Sequence, residues 1–129
     1  SEAQWEYACR AGTTTHFSFG NDLTKLPKYA WVDFAAGHRT HPVATKLPNP
    51  WGLYDIYGNV WEWVHDWHSP RYPGVGQVDP TGPTSGAARV MRGGGFVNHA
   101  RNVRSAKRYS YEPSLRFSAL GARLVRTRK

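Results

Sequence analysis

Residues 48–67 read PNPWGLYDIYGNVWEWVHDW. This stretch holds four of the six tryptophans of the protein, together with three acidic residues. Gly52 and Gly58 mark sharp turns, because glycine adopts positive φ without a steric penalty. After Gly58, polar and aromatic residues alternate, and this period of two predicts a half-buried strand with an aromatic face. The stretch therefore predicts the centre of the fold, with polar groups built into it.

The length and composition predict a single domain, residues 1–129, because a chain of 129 residues supports one hydrophobic core. No run of residues is long and apolar enough for a membrane span. The chain has one cysteine, Cys9, so an intrachain disulfide is excluded. An oxidising compartment is therefore neither required nor excluded.

Positive charge is concentrated in the last third of the chain. Residues 1–88 hold 6 basic and 8 acidic side chains, whereas residues 89–129 hold 11 basic and 1 acidic. A basic segment of this kind makes nucleic acid or another polyanion a candidate partner. Arginines spaced among small and aromatic residues also suit structural pairing with carboxylates and backbone carbonyls, and we favour this interpretation for most of them.

The two ends of the chain predict regular elements. Residues 1–12, SEAQWEYACRAG, predict an amphipathic helix that Ser1 caps and Gly12 ends. Trp5 and Cys9 share one face of this helix, so we expect Cys9 to point inward as a small hydrophobic side chain. Residues 121–126 predict a closing strand with Leu124 facing the core.

Several segments together resemble the formylglycine-generating-enzyme, or sulfatase-modifying factor, domain family. They run in family order along nearly the whole chain, and the segment 48–63 is the most specific. The matching segments are residues 1–12, 41–43, 48–63, 89–94, 100–101, 104–106 and 120–124. The resemblance implies an α+β, C-type-lectin-like fold with little regular secondary structure, a small twisted antiparallel sheet and long loops. It also implies that only the C-terminal part of the full domain is present, so the N-terminal half, on the same or a separate chain, is an expected partner.

The catalytic cysteines of the family are replaced in this sequence. In the enzymes of the family, two cysteines after a Gly-Gly motif bind copper and activate oxygen to oxidise a substrate cysteine. Alignment on Gly93 and Gly94 places Asn98 and Val103 at those positions, and neither side chain is a thiolate ligand or a redox partner. We therefore expect no copper site there and a non-catalytic chain. The alternative is an oxidase of this type that is degenerate or is completed by cysteines from the missing half.

Segment 96–119 resembles the variable region of proteins diversified by retroelements, in which the adenines of asparagine-type template codons are randomised. We predict that it is a ligand-contact surface, because tyrosine and phenylalanine give large contact area at low entropy cost and serine and asparagine give adaptable hydrogen bonds. Lys107 is included although it does not satisfy the codon rule. The predicted contact residues are Phe96, Val97, Asn98, His99, Asn102, Lys107, Tyr109, Ser110, Tyr111, Ser114, Leu115, Phe117, Ser118 and Ala119.

These patterns predict a non-catalytic binding domain whose ligand is a protein or a surface glycan. Nucleic acid is not favoured as a partner. A purely structural or regulatory domain of a larger protein is a further alternative, and in that case the aromatic residues of segment 96–119 serve only the fold.

The family resemblance also implies a structural calcium ion near Gly58. Asn59 and Glu62 offer hard oxygen ligands, and the backbone carbonyl of Val60 lies between them in sequence. The competing interpretations are a turn residue for Asn59 and an arginine partner for Glu62.

Overall fold

A computed structural model describes residues 1–72, 74 and 76–125 of the chain. The helices are α1, Glu2–Arg10, and the short α2, Leu26–Tyr29, with 3-10 turns at Leu23–Lys25, Asp33–Ala36 and Ala100–Asn102. The strands are β1, Trp61–Trp67, β2, Arg89–Arg92, β3, Arg108–Tyr111, and β4, Leu120–Ala122. Long irregular segments connect these elements, so the predicted α+β fold with little regular secondary structure is confirmed.

The four strands form one sheet in the order β3-β2-β1-β4. Strand β2 pairs antiparallel with both β1 and β3, whereas β4 pairs parallel with β1. The sheet is therefore mixed: β1, β2 and β3 form the small antiparallel sheet that the family resemblance implies, and β4 adds a parallel edge strand that it did not imply. The reason is the connection of residues 112–119, which leaves the β3 edge and crosses to the opposite edge, so that β4 enters in the direction of β1.

Helix α1 forms where the sequence predicts a helix, with Ser1 as its cap, but it ends two residues before Gly12, the predicted stop. The Ser1 hydroxyl accepts a hydrogen bond from the Gln4 amide at 3.4 Å, and the helix ends at Arg10 with Ala11 in a left-handed conformation at φ 47°. Trp5 and Cys9 are buried on the apolar face, which confirms the inward position of Cys9. The Trp5 indole donates to the Glu62 carboxylate at 2.7 Å, and this bond fastens the helix to β1.

The main core lies between α1, β1 and the loops that follow α1. Phe17, Leu26, Ile56 and Tyr57 are buried there with Val103, a residue of segment 96–119. The Tyr57 hydroxyl accepts from the Ser18 amide at 2.7 Å and lies 2.9 Å from the Ser105 hydroxyl, so the polar tip of this ring is satisfied inside the core.

A buried ionic cluster joins α1 to β2 and β3. Arg92 is 0% exposed, and one of its nitrogens donates to the Ser105 carbonyl at 2.8 Å and to the Glu6 carboxylate. Its other terminal nitrogen lies 3.6 Å from the carboxylate of Glu2, which also accepts two hydrogen bonds from Arg108. These contacts agree with structural pairing for the arginines of the basic C-terminal third.

The end of the chain differs from the sequence prediction. Strand β4 stops at Ala122, and the Leu124 side chain is 98% exposed, so the prediction that it faces the core was wrong. The side chain of Arg123 turns inward to Glu62 and to the Tyr54 carbonyl, and the next residue in an extended chain therefore points outward. Arg126, the predicted last residue of the strand, lies outside the described residues.

Candidate functional site

Segment 96–119 is fixed at both ends to the stretch 48–67. The Phe96 amide donates to the Asn59 carbonyl at 2.8 Å, and the Trp61 amide donates to the Ala119 carbonyl at 2.7 Å. Between these ends, the Ser105 amide donates to the His16 carbonyl at 2.9 Å. The segment is therefore held on a rigid base, which is the arrangement that a precise binding surface requires.

The exposed face of this segment carries a row of aromatic rings. Tyr109 and Tyr111 alternate with more buried residues along β3, and Phe117 reaches them from the crossing connection. The ring centroids of Tyr109 and Tyr111 lie 5.6 Å apart, and those of Tyr111 and Phe117 lie 6.4 Å apart. The three side chains are between 37% and 46% exposed, so each ring rests on the protein and offers one side to solvent. We call these three residues the aromatic row.

Trp61 of β1 forms the floor at one end of the aromatic row. It is buried, and its ring centroid lies 5.7 Å from that of Tyr109. Aromatic contacts at this distance stabilise a defined ring orientation by about 0.5–1.5 kcal/mol beyond area burial. The row is therefore pre-oriented by the stretch 48–67.

The other predicted contact residues divide by exposure. Val97, His99, Ser114 and Ser118 are exposed. Asn102, Lys107, Ser110 and Leu115 are half-buried. The His99 ring nitrogen Nδ1 lies 2.6 Å from the Asp33 carboxylate, which orients this ring at the surface. Asp33 was missed in the sequence because it lies 66 residues from His99 and carries no local signal.

Three of the predicted contact residues support the surface from beneath. Phe96 and Ala119 are buried together with Ala36, so their side chains pack inside the described part of the chain and do not reach its exposed face. The side-chain oxygen of Asn98 accepts from the Gly95 amide at 2.8 Å, which closes a tight turn and leaves Asn98 half-buried. These residues anchor the segment because their side chains are used inside the protein.

The two positions that align with the catalytic cysteines of the family hold side chains that are used within the protein. Asn98 closes the turn described above, and Val103 is fully buried against Gly94, where a Cβ on Gly94 would overlap the Val103 side chain. Both side chains serve local packing.

Cys9 lies in the core and not at this surface. Burial raises the pKa of the Cys9 thiol to about 11, while hydrogen bonding with Tyr57 and Ser105 opposes the shift. Because the thiolate is the nucleophilic form, this environment makes Cys9 a poor nucleophile near neutral pH.

The residues predicted for calcium line a cleft of about 410 Å³. Both carboxylate oxygens of Glu62 accept hydrogen bonds from Arg123, at 2.7 and 3.0 Å. Asn59 has φ 58°, and its side-chain amide exchanges two hydrogen bonds with the backbone of His41. Asn59 is thus a turn residue and Glu62 is the ion-pair partner of Arg123. Both arrangements occupy side-chain oxygens that a calcium ion would need. Across residues 1–72, 74 and 76–125, no group of three or more His, Cys, Asp or Glu side chains is placed to hold a metal ion.

One oxygen in this cleft remains without a partner. Asp55 shares the cleft with Asn59, Val60 and Glu62; its Oδ2 accepts from the Ala44 amide at 2.7 Å, whereas its Oδ1 is buried without a hydrogen bond among the described residues. An unsatisfied buried carboxylate oxygen suits a hard cation, so Asp55 is a candidate ligand that the sequence prediction did not include.

Comparison with known proteins places the chain in a family. Residues 1–128 match the Sulfatase-modifying factor enzyme 1-like domain. The chain belongs to this family. It is 40% identical over 139 residues to the formylglycine-generating enzyme of Streptomyces coelicolor, an alignment that covers 95% of this chain and 44% of the relative.

Two solved structures share the fold. The structure of Treponema denticola variable protein 1 is similar to this chain with a TM-score of 0.88 and 40% identity, over 95% of this chain and 44% of that protein. PvdO from Pseudomonas aeruginosa is similar with a TM-score of 0.81 and 32% identity, over 95% of this chain and 49% of that protein. These likenesses confirm the predicted C-type-lectin-like fold. The chain spans less than half the length of these relatives.

Proposed function

We propose that this member of the sulfatase-modifying factor family is a non-catalytic ligand-binding domain, with the exposed part of segment 96–119 as its contact surface. The observation that carries the proposal is the aromatic row of Tyr109, Tyr111 and Phe117, which is partly exposed on a segment anchored at both ends. Partly exposed tyrosine and phenylalanine rings on a rigid base provide binding energy with little loss of side-chain entropy. The ligand class is a protein or a surface glycan, since both present apolar faces that stack on aromatic rings.

The proposal includes diversification of this surface. It is supported by the similarity to a protein named as a variable protein and by the division of segment 96–119 into buried anchors and exposed mixed residues. Substitutions at exposed positions change stability by only about 0.5 kcal/mol, so the surface tolerates variation while the anchors hold the fold. An adenine-rich near-copy of the coding segment beside a reverse transcriptase gene is the genomic arrangement that this part of the proposal expects.

Removing the aromatic row is expected to abolish binding while the fold persists. The chain is screened on a glycan array and a random-peptide array, and the affinity of each hit is compared with that of the variant Tyr109→Ala/Tyr111→Ala/Phe117→Ala. Truncation of three contact-surface aromatics is expected to weaken binding by about a hundredfold or more. Circular dichroism of the variant checks that the fold is retained.

The matched control removes three exposed apolar side chains elsewhere, in Leu23→Ala/Val43→Ala/Leu47→Ala. It is expected to bind as the unmodified chain does. Equal binding by both variants would contradict the contact-surface assignment. Copper-dependent oxygen consumption with a cysteine peptide would instead support the oxidase alternative.

We also propose a structural calcium ion in the cleft of Asp55, Asn59, Val60 and Glu62. The support is the partnerless Oδ1 of Asp55. Calcium at tenfold excess over its dissociation constant is expected to raise the thermal midpoint by about 5 °C relative to EDTA, because the ion binds only the folded state.

The shift is measured by differential scanning calorimetry on the unmodified chain and on Asp55→Asn, which is expected to lose it. Glu112→Gln, at an exposed acid outside the cleft, is the control and is expected to keep it. An equal shift in both variants, or the same shift with magnesium, would contradict the site.

A further inference from the structure

A second cleft lies between the loop after α1 and the loop that enters β3. Its volume is about 340 Å³. Four cationic side chains line it, Arg10, Arg104, Lys107 and Arg108, together with Thr14 and His16, and no carboxylate does. A cleft lined by one sign of charge concentrates the opposite charge, because its low-dielectric walls focus the field.

The cations of this cleft fall into two pairs. Arg10 and Arg108 are held by the carboxylates of Glu6 and Glu2, at 2.8 and 2.6 Å. These carboxylates, which also contact Arg92, fix the positions of the two guanidinium groups and offset part of their charge. The pair therefore supplies ordered N–H donors and a reduced net charge.

Arg104 and Lys107 supply the net charge. Neither forms a salt bridge with an Asp or Glu side chain, and all nine acidic residues lie in the described part of the chain. The Arg104 side chain donates through Nε to the Arg101 carbonyl at 3.0 Å, which fixes its orientation, and its terminal nitrogens make no hydrogen bond with the described residues. Both side chains are half-buried at the cleft, and no Asp or Glu side chain compensates their two positive charges.

We propose that this cleft binds an oxyanion, a phosphate or sulfate group. Arginine donors in a fixed fork and a lysine ammonium are the groups that such anions recognise. The anion comes from one of two sources, the free ion or an ester carried by a saccharide.

The cleft adjoins the proposed contact surface. The Lys107 ammonium lies 6.0 Å from the ring centroid of Tyr109, so the same side chain faces the cleft and the aromatic row. A sugar ring stacked on Tyr109 would place an ester group beside Lys107. This extension rests on the proposed binding function, whereas the oxyanion site itself stands on the cleft.

The experiment is a titration of the full ¹⁵N-labelled chain followed by amide chemical shifts at constant ionic strength, with chloride as the replaced ion. The probes are inorganic phosphate, inorganic sulfate, glucose 6-phosphate, glucose 6-sulfate and a single-stranded oligonucleotide. We expect saturable shifts at residues 14–16 and 104–108. A hexose ester that binds more tightly than the free ion identifies the saccharide as the source, and equal affinities identify the free ion.

Three variants define the site. Arg104→Gln and Lys107→Gln are each expected to lower phosphate affinity by about tenfold, since each removes one charge-assisted contact. Arg101→Gln removes an exposed charge outside the cleft and is expected to leave the affinity unchanged. Because Arg104 also bonds the backbone, Lys107→Gln provides a test without that structural contact.

Two results would overturn the site. The first is a linear shift without saturation or an equal loss in Arg101→Gln, since either indicates screening of general surface charge. The second is an oligonucleotide that binds more tightly than every ester and depends equally on Arg101, which indicates an extended nucleic-acid surface. Tyr109→Ala/Tyr111→Ala is expected to retain phosphate binding, so failure of the oxyanion site and failure of the aromatic row are distinguishable.

Discussion

Replacement of Arg92 by methionine is expected to lower the free energy of unfolding by about 3 kcal/mol. Arg92 is fully buried, and its guanidinium lies between the carboxylates of Glu2 and Glu6. Methionine keeps most of the side-chain volume but removes the charge, so two acids of α1 lose their shared partner. Breaking a buried ion pair on one side leaves uncompensated charge in a low-dielectric site and costs about 3–5 kcal/mol.

Urea unfolding followed by tryptophan fluorescence measures this change. Glu2 keeps Arg108 and Glu6 keeps Arg10, so the expected loss lies at the lower end of that range. Arg39→Gln, at an exposed position, is the control and is expected to change stability by less than about 0.5 kcal/mol. A similarly small change for Arg92→Met would show that the ionic cluster does not stabilise the contact of α1 with the sheet.

Replacement of Gly94 by alanine is the second large effect, and it acts directly on segment 96–119. Gly94 has φ +76°, and an added Cβ would overlap the Cγ1 atom of Val103. The left-handed conformation costs alanine about 1–2 kcal/mol, and overpacking of a rigid core adds about 1–3 kcal/mol. We expect a total loss of about 2–5 kcal/mol from these two costs together.

Gly52→Ala separates the two contributions to this loss. Gly52 has φ +78°, nearly the same as Gly94, and apart from its two chain neighbours no atom of the described residues lies within 4 Å of the position that an added Cβ would take. Only the backbone cost of about 1–2 kcal/mol is therefore expected there. Adding Val103→Ala to Gly94→Ala relieves the overlap, and urea unfolding is expected to show that the two changes are not additive. Strict additivity would contradict the packing of Val103 on Gly94.

The parts of the fold that the sequence predicts are those with local signals. The cap at Ser1 and the spacing of Trp5 and Cys9 predict α1, and the alternation after Gly58 predicts β1. The parallel pairing of β4 has no local signal, because Trp61 and Leu120 meet only after the chain crosses the sheet. Leu124 was misplaced because the strand pattern continues in sequence beyond the point where Arg123 turns to Glu62.

In the candidate site as well, the sequence predicts the features with local signals and misses those that the fold brings together. Residue types in segment 96–119 predict a contact surface, and the aromatic row lies where the alternation of β3 exposes Tyr109 and Tyr111. Burial of Phe96 and Ala119 follows from packing on Ala36, which is distant from both in sequence. The oxyanion cleft was missed for the same reason, since residues 10–16 and 104–108 are brought together only by the fold.

In the proposed binding function, the stretch 48–67 serves as a base for the contact surface. Asn59 and Trp61 hold the two ends of segment 96–119, and the Trp61 ring supports Tyr109.

No helix among residues 1–72, 74 and 76–125 is long and apolar enough to cross a membrane.

In segment 96–119, we propose that the exposed aromatic residues contact the ligand, whereas the buried residues stabilise the fold. The most direct test is a scan of all single substitutions at these positions on the displayed chain, with protease resistance and binding to an array-derived glycan or peptide measured in parallel. Substitutions at Tyr109, Tyr111 and Phe117 are expected to abolish binding and preserve protease resistance, whereas those at Phe96, Val103 and Ala119 are expected to lower protease resistance. Loss of protease resistance at the aromatic row in step with binding, or binding that persists without the row, would contradict the account.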